Sequence, residues 1–151
     1  MKDKIIEKMY EMSKRPYQKF MKHNQPWNIT KEELVSYPEF SLGNDLGRFL
    51  TSNQFDIQEK LEDHDIIHVL TNTGITVVDE ISMQYYLLGN GKRSLYLYMV
   101  ILTGTAFYPM FFNRFMEAYK KGKKAHKFYY LDFLKLLHVP TDTLRQTFNI
   151  N

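Results

Sequence analysis

Hydrophobic residues recur along this chain every three or four positions, which is the spacing of an amphipathic α-helix. A first helix is predicted over residues 3–13, where apolar side chains share one face: Ile5, Ile6, Met9 and Met12. Val, Ile and Thr are scattered rather than alternating with polar residues, and Asn90-Gly91 lies between two helical patterns. The pattern therefore predicts an all-α fold: a single helical domain of about six to eight helices.

Polar residues with capping chemistry mark where several of these helices begin. Thr30 followed by Glu33 has the spacing of a capping box, which opens a short helix that stops before Pro38. Ser41 is predicted to cap the next helix, and Asp56 to cap another that runs to about residue 70.

Glycine and proline residues mark the later boundaries. Gly74 is predicted to end one helix, and a further helix spans about residues 77–88 and ends at Gly89. After Pro109 a helix is predicted to continue to about residue 127. The last part of the chain is expected to hold one or two short helices separated at Pro140.

Residues 94–113 form a run of 20 positions without a charge. Length alone would allow a membrane-spanning helix, but Gly104 and Pro109 weaken that interpretation. A central helix buried on all sides gives the same pattern and is the favoured interpretation. A segment that lines a cavity or touches a membrane is the alternative.

Composition limits the classes of protein that this chain can belong to. With 151 residues, 44% hydrophobic and 25% charged, it matches an ordinary globular protein, for which one domain over residues 1–151 is expected. Residues 1–39 are predicted to form an N-terminal helical region ahead of a core over residues 40–140. The absence of cysteine excludes disulfides, iron–sulfur clusters, thiolate zinc sites and cysteine nucleophiles.

The net charge of +3 permits contact with anionic partners without requiring it. The basic run over residues 120–127 is most simply a solvated helix end, because cations are favoured at a helix C-terminus. Contact with anionic lipid headgroups is the alternative, and no nucleic-acid partner is predicted. The N-terminus lacks the apolar core of a signal peptide, so the protein is expected to stay where it is made.

The candidate chemistry lies in His64-Asp65-Ile66-Ile67-His68 and in Glu80, which follows after eleven residues. On a helix, His64 and His68 point the same way one turn apart, and Asp65 borders that face. A tight turn at residues 72–74 would fold the next helix back and bring Glu80 toward the histidines. Such nitrogen and oxygen ligands suit zinc, iron or manganese at an open site.

A metal site is not the only explanation of this histidine pair. Histidines four residues apart also occur by chance in helices, and Asp65 could simply support the first half of its helix. No nucleophile elbow and no phosphate-binding glycine motif is present elsewhere in the sequence.

The spaced motif of His64, Asp65, His68 and Glu80 resembles the signature of the coenzyme Q biosynthesis family that includes the fourth protein of the eukaryotic pathway. Short bacterial members are similar in the flanking residues, at His64–Thr71, Asp79–Ile81 and Gly89–Ser94. The resemblance covers roughly residues 40–140. Mitochondrial members are longer and often have glycine at the position of Asp79.

The resemblance implies an all-α fold with a metal ion held by His64, Asp65, His68 and Glu80, with zinc favoured over iron or manganese. It also implies a hydrophobic cavity for a polyprenylated ring and peripheral association with a membrane. The activity implied is oxidative decarboxylation of a 4-hydroxybenzoate-type quinone precursor, in which a hydroxyl replaces the carboxyl at ring carbon 1.

A non-catalytic alternative is a scaffold that binds a prenyl lipid or quinone, contains a structural metal and organises the biosynthetic enzymes. The expected partners are a prenylated precursor or other isoprenoid lipid, an anionic membrane surface, other quinone-biosynthesis proteins and, as an open possibility, further copies of the chain. The expected location is cytoplasmic, at the inner face of a bacterial membrane.

Overall fold

The computed structural model of the chain describes residues 27–57 and 62–151, with Lys4 alone before them. The predicted first helix over residues 3–13 therefore lies, apart from Lys4, outside the described residues. Within the described ranges the fold is all-α, as predicted, and contains seven α-helices and no strand.

The helices follow one another with short connections. They are α1 (Lys31–Val35), α2 (Leu42–Ser52), α3 (Glu62–Thr71), α4 (Val77–Asn90), α5 (Leu95–Phe107), α6 (Phe112–Lys124) and α7 (Thr141–Phe148). Two 3₁₀ turns, at Pro109–Phe111 and Phe133–Leu136, precede α6 and α7. The short turn and helix on either side of Pro140 match the prediction for the last part of the chain.

Two of the predicted helix caps are confirmed by their hydrogen bonds. The Thr30 hydroxyl accepts from the Glu33 amide while the Glu33 carboxylate accepts from the Thr30 amide, which completes the capping box of α1. The Ser41 hydroxyl accepts from the Asn44 amide at 3.3 Å and caps α2. Both caps are local, which is why the sequence predicts them.

The predicted cap at Asp56 would bond to amides of residues 58–61, which lie outside the described residues, so it stays a prediction. Asp56 and Ile57 are outside any helix, and the helix that follows is described from Glu62 onward. The Asp56 side chain is 92% exposed and lies 3.3 Å from the Lys31 amine. Its carboxylate therefore pairs with the start of α1.

The predicted end of a helix at Gly89 is wrong, because α4 continues to Asn90 and has its cap at Gly91. Gly91 takes the left-handed conformation, with a φ of 113°, that favours glycine. Gly89 serves close packing instead, since a Cβ at this position would collide with the carbonyl oxygen of Tyr119 on α6.

Helix α4 is at the centre of the fold and runs parallel to α6. Asp79 on the first turn of α4 forms an ion pair with Arg114 on the first turn of α6. Further along, Tyr85 stacks on Phe115 with ring centroids 5.3 Å apart. Near the far ends a Cβ at Gly122 would collide with the Tyr86 carbonyl oxygen, so glycine allows the two backbones to meet.

The main hydrophobic core lies on the opposite side of α4, where α2, α3 and the C-terminal segment meet. Fully buried members include Leu46, Ile66, Leu87, Phe128 and Phe133. Tyr85 and Tyr86 are buried as well. This packing holds α3 and α4 in the relative position that the candidate site requires.

Most of the apolar run over residues 94–113 forms α5, but this helix is buried on one side only, and the run ends in the 3₁₀ turn at Pro109–Phe111 and the start of α6. Leu97 is fully buried, whereas Leu95 and Leu102 are 67% and 74% exposed. The prediction of burial on all sides is therefore wrong: apolar residues occupy both faces of α5, but the fold covers only the inner face. Among the described residues, no individual helix combines the length and the hydropathy needed to cross a membrane.

Candidate metal centre

The two histidines are presented by α3, whose opposite face is anchored in the core. Ile66 and Ile67 are 0% and 4% exposed, which fixes the rotation of the helix about its axis. His64 and His68 are one turn apart and point toward the first turn of α4. The predicted shared face of the two histidines is therefore present.

Glu80 reaches the same place because the chain reverses sharply between α3 and α4. Asn72 takes the left-handed conformation, with a φ of 50°, which asparagine tolerates better than most residues. Thr76 then caps α4 with the Asp79 carboxylate in a second capping box. Glu80 follows in the first helical turn, where the helix dipole favours a negative charge.

The ligand atoms of these three residues converge on a single point. Nε2 of His68 lies 2.8 Å from Oε1 of Glu80, and Nε2 of His64 lies 3.3 Å from Oε2 of Glu80. The two Nε2 atoms are 3.2 Å apart. Metal–ligand bonds of about 2.0–2.1 Å in a tetrahedral site require ligands about 3.3 Å apart. The separations of 3.2 and 3.3 Å fit the edges of such a coordination shell, whereas the 2.8 Å contact is a hydrogen bond that would widen on metal binding.

The His68 ring is held in a defined orientation. Its Nδ1 lies 3.2 Å from the Thr73 carbonyl oxygen, which is an acceptor, so Nδ1 donates to that oxygen. Nε2 faces Glu80 and donates to its carboxylate in metal-free protein, and it would give up that proton to bind an ion. The Phe49 ring stacks on the imidazole with centroids 5.5 Å apart and an interplanar angle of 20°. His68 itself is only 3% exposed.

Charges within the cluster stabilise one another. Burial would raise the pKa of Glu80, but the charges and hydrogen bonds of His64 and His68 outweigh it and hold that pKa well below its usual range. Burial would lower the pKa of His68, but the hydrogen bond and charge of Glu80 raise it above 6.5. The carboxylate is therefore ionised at neutral pH, as a metal ligand must be.

Asp65, the other ligand implied by the resemblance, is next to His64 on α3 and is partly buried. Its negative charge contributes to the raised pKa of His68. The group whose ligand atoms all lie within 4.8 Å of one another consists of His64, His68 and Glu80. A role for Asp65 as a ligand stays a prediction.

Asp79 occupies the position where mitochondrial members of the resembled family often have glycine, and its carboxylate is used away from the cluster. It accepts hydrogen bonds from Thr76 and pairs with Arg114. Burial would raise the pKa of Asp79, but the Thr76 hydrogen bonds and the Arg114 charge lower it. Asp79 thus caps α4 and joins it to α6.

Three supporting residues are not identified by sequence analysis. Thr73 acts through a backbone carbonyl, which no residue type reveals, and Phe49 comes from α2. Arg145 on α7 donates to the carbonyl oxygens of Val69 and Leu70 and so secures the last turn of α3. A sequence offers no signal for these contacts because they join distant segments.

The donor set fits a divalent metal ion. Two imidazole nitrogens and one carboxylate oxygen are ligands that zinc, iron and manganese all accept. The side chains of His64 and Glu80 are 15% and 21% exposed, so the cluster opens toward solvent on one side. That opening gives solvent access to the cluster.

Comparisons with known proteins show a likeness of fold. No family model and no curated protein matches the chain. A solved structure from Nostoc punctiforme, described as a "putative ubiquinone biosynthesis protein", superposes with a TM-score of 0.70 at 20% sequence identity. The alignment covers 93% of this chain and 78% of the Nostoc chain. The all-α fold is therefore shared with that protein.

Proposed function

We propose that this protein belongs to the coenzyme Q biosynthesis family and acts, through a divalent metal ion, on a polyprenylated 4-hydroxybenzoate-type precursor. The observation that carries the proposal is the convergence of His64, His68 and Glu80 within 4.8 Å. The fold likeness to the Nostoc protein supports the same pathway. The spaced motif of His64, His68 and Glu80, and the contacts of Thr73 and Phe49 that orient His68, also support this function.

The proposed reaction replaces the ring carboxylate with a hydroxyl. The bond between the carboxyl carbon and ring carbon 1 breaks, carbon dioxide leaves, and a hydroxyl from water forms the new carbon–oxygen bond. Two electrons and a proton are released, so the reaction requires an electron acceptor. A bound ion would act as Lewis acid for the carboxylate. Iron or manganese could also exchange electrons, whereas zinc would require a separate oxidant such as a flavin.

Each residue of the cluster has a separate part in this proposal. His64, His68 and Glu80 would hold the ion, and Asp65 is the proposed fourth ligand. Thr73 would keep the Nε2 lone pair of His68 directed at the ion. With neutral imidazoles, the carboxylates of Glu80 and Asp65 would nearly cancel the charge of a divalent ion.

The non-catalytic scaffold is the second candidate, and the exposed outer face of α5 favours it. Leu95 and Leu102 on that face offer a surface to a lipid or to another biosynthetic protein without any chemistry at the metal. In this alternative the ion is structural. It would hold α3 against α4, much as the His68–Glu80 contact does.

Turnover distinguishes the two candidates. A prenylated 4-hydroxybenzoate labelled at the carboxyl carbon is incubated with metal-loaded protein and an electron acceptor, and labelled carbon dioxide is counted. The enzyme proposal predicts release that His64→Ala and Glu80→Ala abolish and that His138→Ala and Glu117→Ala preserve, since these two exposed residues are outside the cluster. Release at the same rate with His64→Ala contradicts the enzyme proposal.

A further inference from the structure

Three buried side-chain oxygens in the described part of the chain have no hydrogen-bond partner. They are Oδ1 of Asn44, Oε1 of Gln84 and the hydroxyl oxygen of Tyr86. A buried acceptor without a partner has lost its hydrogen bonds to water and gained none in return, so it destabilises the fold. Such an atom requires an explanation, and a ligand that supplies the missing donor is one.

Gln84 is the member of this set that lies beside the candidate metal centre. Asn44 is on α2, where its amide nitrogen already donates to two backbone carbonyls. Tyr86 packs against Phe128 in the main core. Gln84 follows Glu80 by four residues on α4, so its side chain starts one turn further along the same side of the helix.

The position of Gln84 on α4 directs its side chain between α3 and α5. Successive residues of a helix are about 100° apart around its axis, which puts Gln84 about 40° from Glu80 and about 60° from Ile81. Glu80 faces the histidines of α3, whereas Ile81 contacts α5 where a Cβ at Gly104 would collide with it. Gln84 lies between these two directions and is 1% exposed. Its amide is therefore buried next to the metal cluster, on the side toward α5.

An acceptor at this place fits the hydroxyl group of a ligand that reaches the cluster. The Glu80 side chain is 21% exposed whereas Gln84 is buried, so a ligand that enters at the cluster would meet Gln84 with its inner end. Four residues of helix separate the two side chains by about 6 Å along the axis. That spacing is close to the length of a benzene ring with substituents at its opposite ends.

We propose that Gln84 recognises the ring hydroxyl of an aromatic acid whose carboxylate is bound at the cluster. The hydroxyl donates to Oε1 of Gln84, which supplies the partner that this oxygen lacks. The choice of an aromatic acid rests on the proposed function, whereas the unpaired oxygen is a property of the structure itself. Gln84 is then a specificity-determining residue, because a ring without the hydroxyl would leave the buried oxygen unpaired.

The affinities of two matched probes test the inference with the full chain. The probes are 3-geranyl-4-hydroxybenzoate and 3-geranylbenzoate, which differ only in the hydroxyl, and calorimetry measures their binding with and without zinc. We expect the wild type to prefer the hydroxylated probe by at least about tenfold and Gln84→Met to lose that preference. Gln146→Met, the same change at an exposed glutamine, should keep it. Tyr86→Phe, which removes the unpaired hydroxyl on the core side of α4, should keep it as well.

Thermal unfolding of the ligand-free protein separates ligand recognition from a structural role of the amide. Gln84→Met should unfold at a higher temperature than the wild type, because methionine has the length of glutamine and leaves no acceptor unpaired. An amide that stabilises the fold predicts the opposite shift. Three results would overturn the inference: a wild type that binds neither probe or both equally, a Gln84→Met variant that keeps the preference, or one that unfolds at a lower temperature.

The metal content of the same samples separates this inference from the proposed function. Gln84→Met should take up as much zinc as the wild type, since Gln84 is outside the group of His64, His68 and Glu80. If the wild type takes up no metal but prefers the hydroxylated probe through Gln84, the proposed function fails and the recognition of the hydroxyl stands. If the protein takes up metal but Gln84→Met keeps the preference, the inference fails and the metal proposal stands.

Discussion

His68 and Glu80 meet across the turn between α3 and α4, with Nε2 of the histidine 2.8 Å from Oε1 of the glutamate. The Nδ1 side of the same ring faces the Thr73 carbonyl within the connecting turn. One ring therefore links the end of α3, the turn and the start of α4. The proposed metal site and the stability of the turn between α3 and α4 therefore depend on the same contacts of His68.

Replacing Glu80 with glutamine should weaken metal binding while preserving the fold. Glu80→Gln keeps the size of the side chain but removes the negative charge that attracts a cation. We expect zinc affinity to fall by about 100-fold or more, since even outer-shell partners of metal ligands contribute about 10–100-fold. Competition with a chromophoric chelator measures the affinity, and far-UV circular dichroism checks the helix content. Equal affinities for wild type and Glu80→Gln would remove Glu80 from the ligand set.

The metal should stabilise the protein more at high pH than at low pH. The pKa of His68 is raised, so a proton competes with the ion until the pH exceeds that value. Below it we expect the affinity to drop about tenfold per pH unit for each proton displaced.

Metal-free protein should instead lose stability as the pH rises above neutrality. Because the folded pKa of His68 lies above its unfolded value, the His68–Glu80 ion pair stabilises fully below pH 6.5, and its contribution is lost as the pH rises through the folded pKa. Glu80 imposes the acid limit, since its lowered pKa makes stability fall once the pH drops below 4.5. Thermal unfolding with and without zinc across this range measures both trends. Unfolding temperatures that change with pH in the same way with and without zinc would contradict the prediction.

Asp79→Ala should destabilise the fold without removing the metal. The substitution deletes one half of the α4 capping box and the ion pair with Arg114. We expect a loss of about 1 kcal/mol in the free energy of unfolding, measured by urea titration of metal-free protein. Arg114→Ala, the matched control, should cost less than about 1 kcal/mol because Arg114 is half exposed. Loss of metal with Asp79→Ala alone would make Asp79 part of the site.

Gly122→Ala should be among the most destabilising single changes in the described core. The added methyl group would collide with the Tyr86 carbonyl and separate α4 from α6. We expect a loss of about 3 kcal/mol in the free energy of unfolding, the upper part of the usual range for overpacking. Lys121→Ala, an exposed change one residue away, is the control and should be close to neutral. Equal stability of the two variants would refute the close-packing role of Gly122.

The sequence predicts those features whose causes are local. The caps at Thr30 and Ser41 depend on residues three positions away, so they appear both in the sequence and in the structure. The approach of Glu80 to the histidines also follows from spacing, because a short turn leaves few paths between α3 and α4. Helical periodicity is sufficient to give the fold class.

Features that depend on distant segments are not predictable in this way. In the sequence Gly89 has the pattern of a helix end, and only the structure reveals that it packs against the backbone of α6. An apolar helix such as α5 has the same sequence pattern whether it is covered on all sides or on one. Phe49 and Arg145 reach the candidate site from other helices, and no local pattern marks them.

Metal content of the purified, untagged protein tests the central claim most directly. Plasma mass spectrometry is applied to the wild type and to His64→Ala, Glu80→Ala and the control His138→Ala, each after reconstitution with zinc, iron or manganese. We predict about one ion per chain in the wild type and in His138→Ala, and loss of that ion in the other two. Iron or manganese would favour oxidative catalysis, and zinc a Lewis-acid or structural role. A wild type without metal after reconstitution, or His64→Ala and Glu80→Ala variants that retain it, would contradict the metal centre.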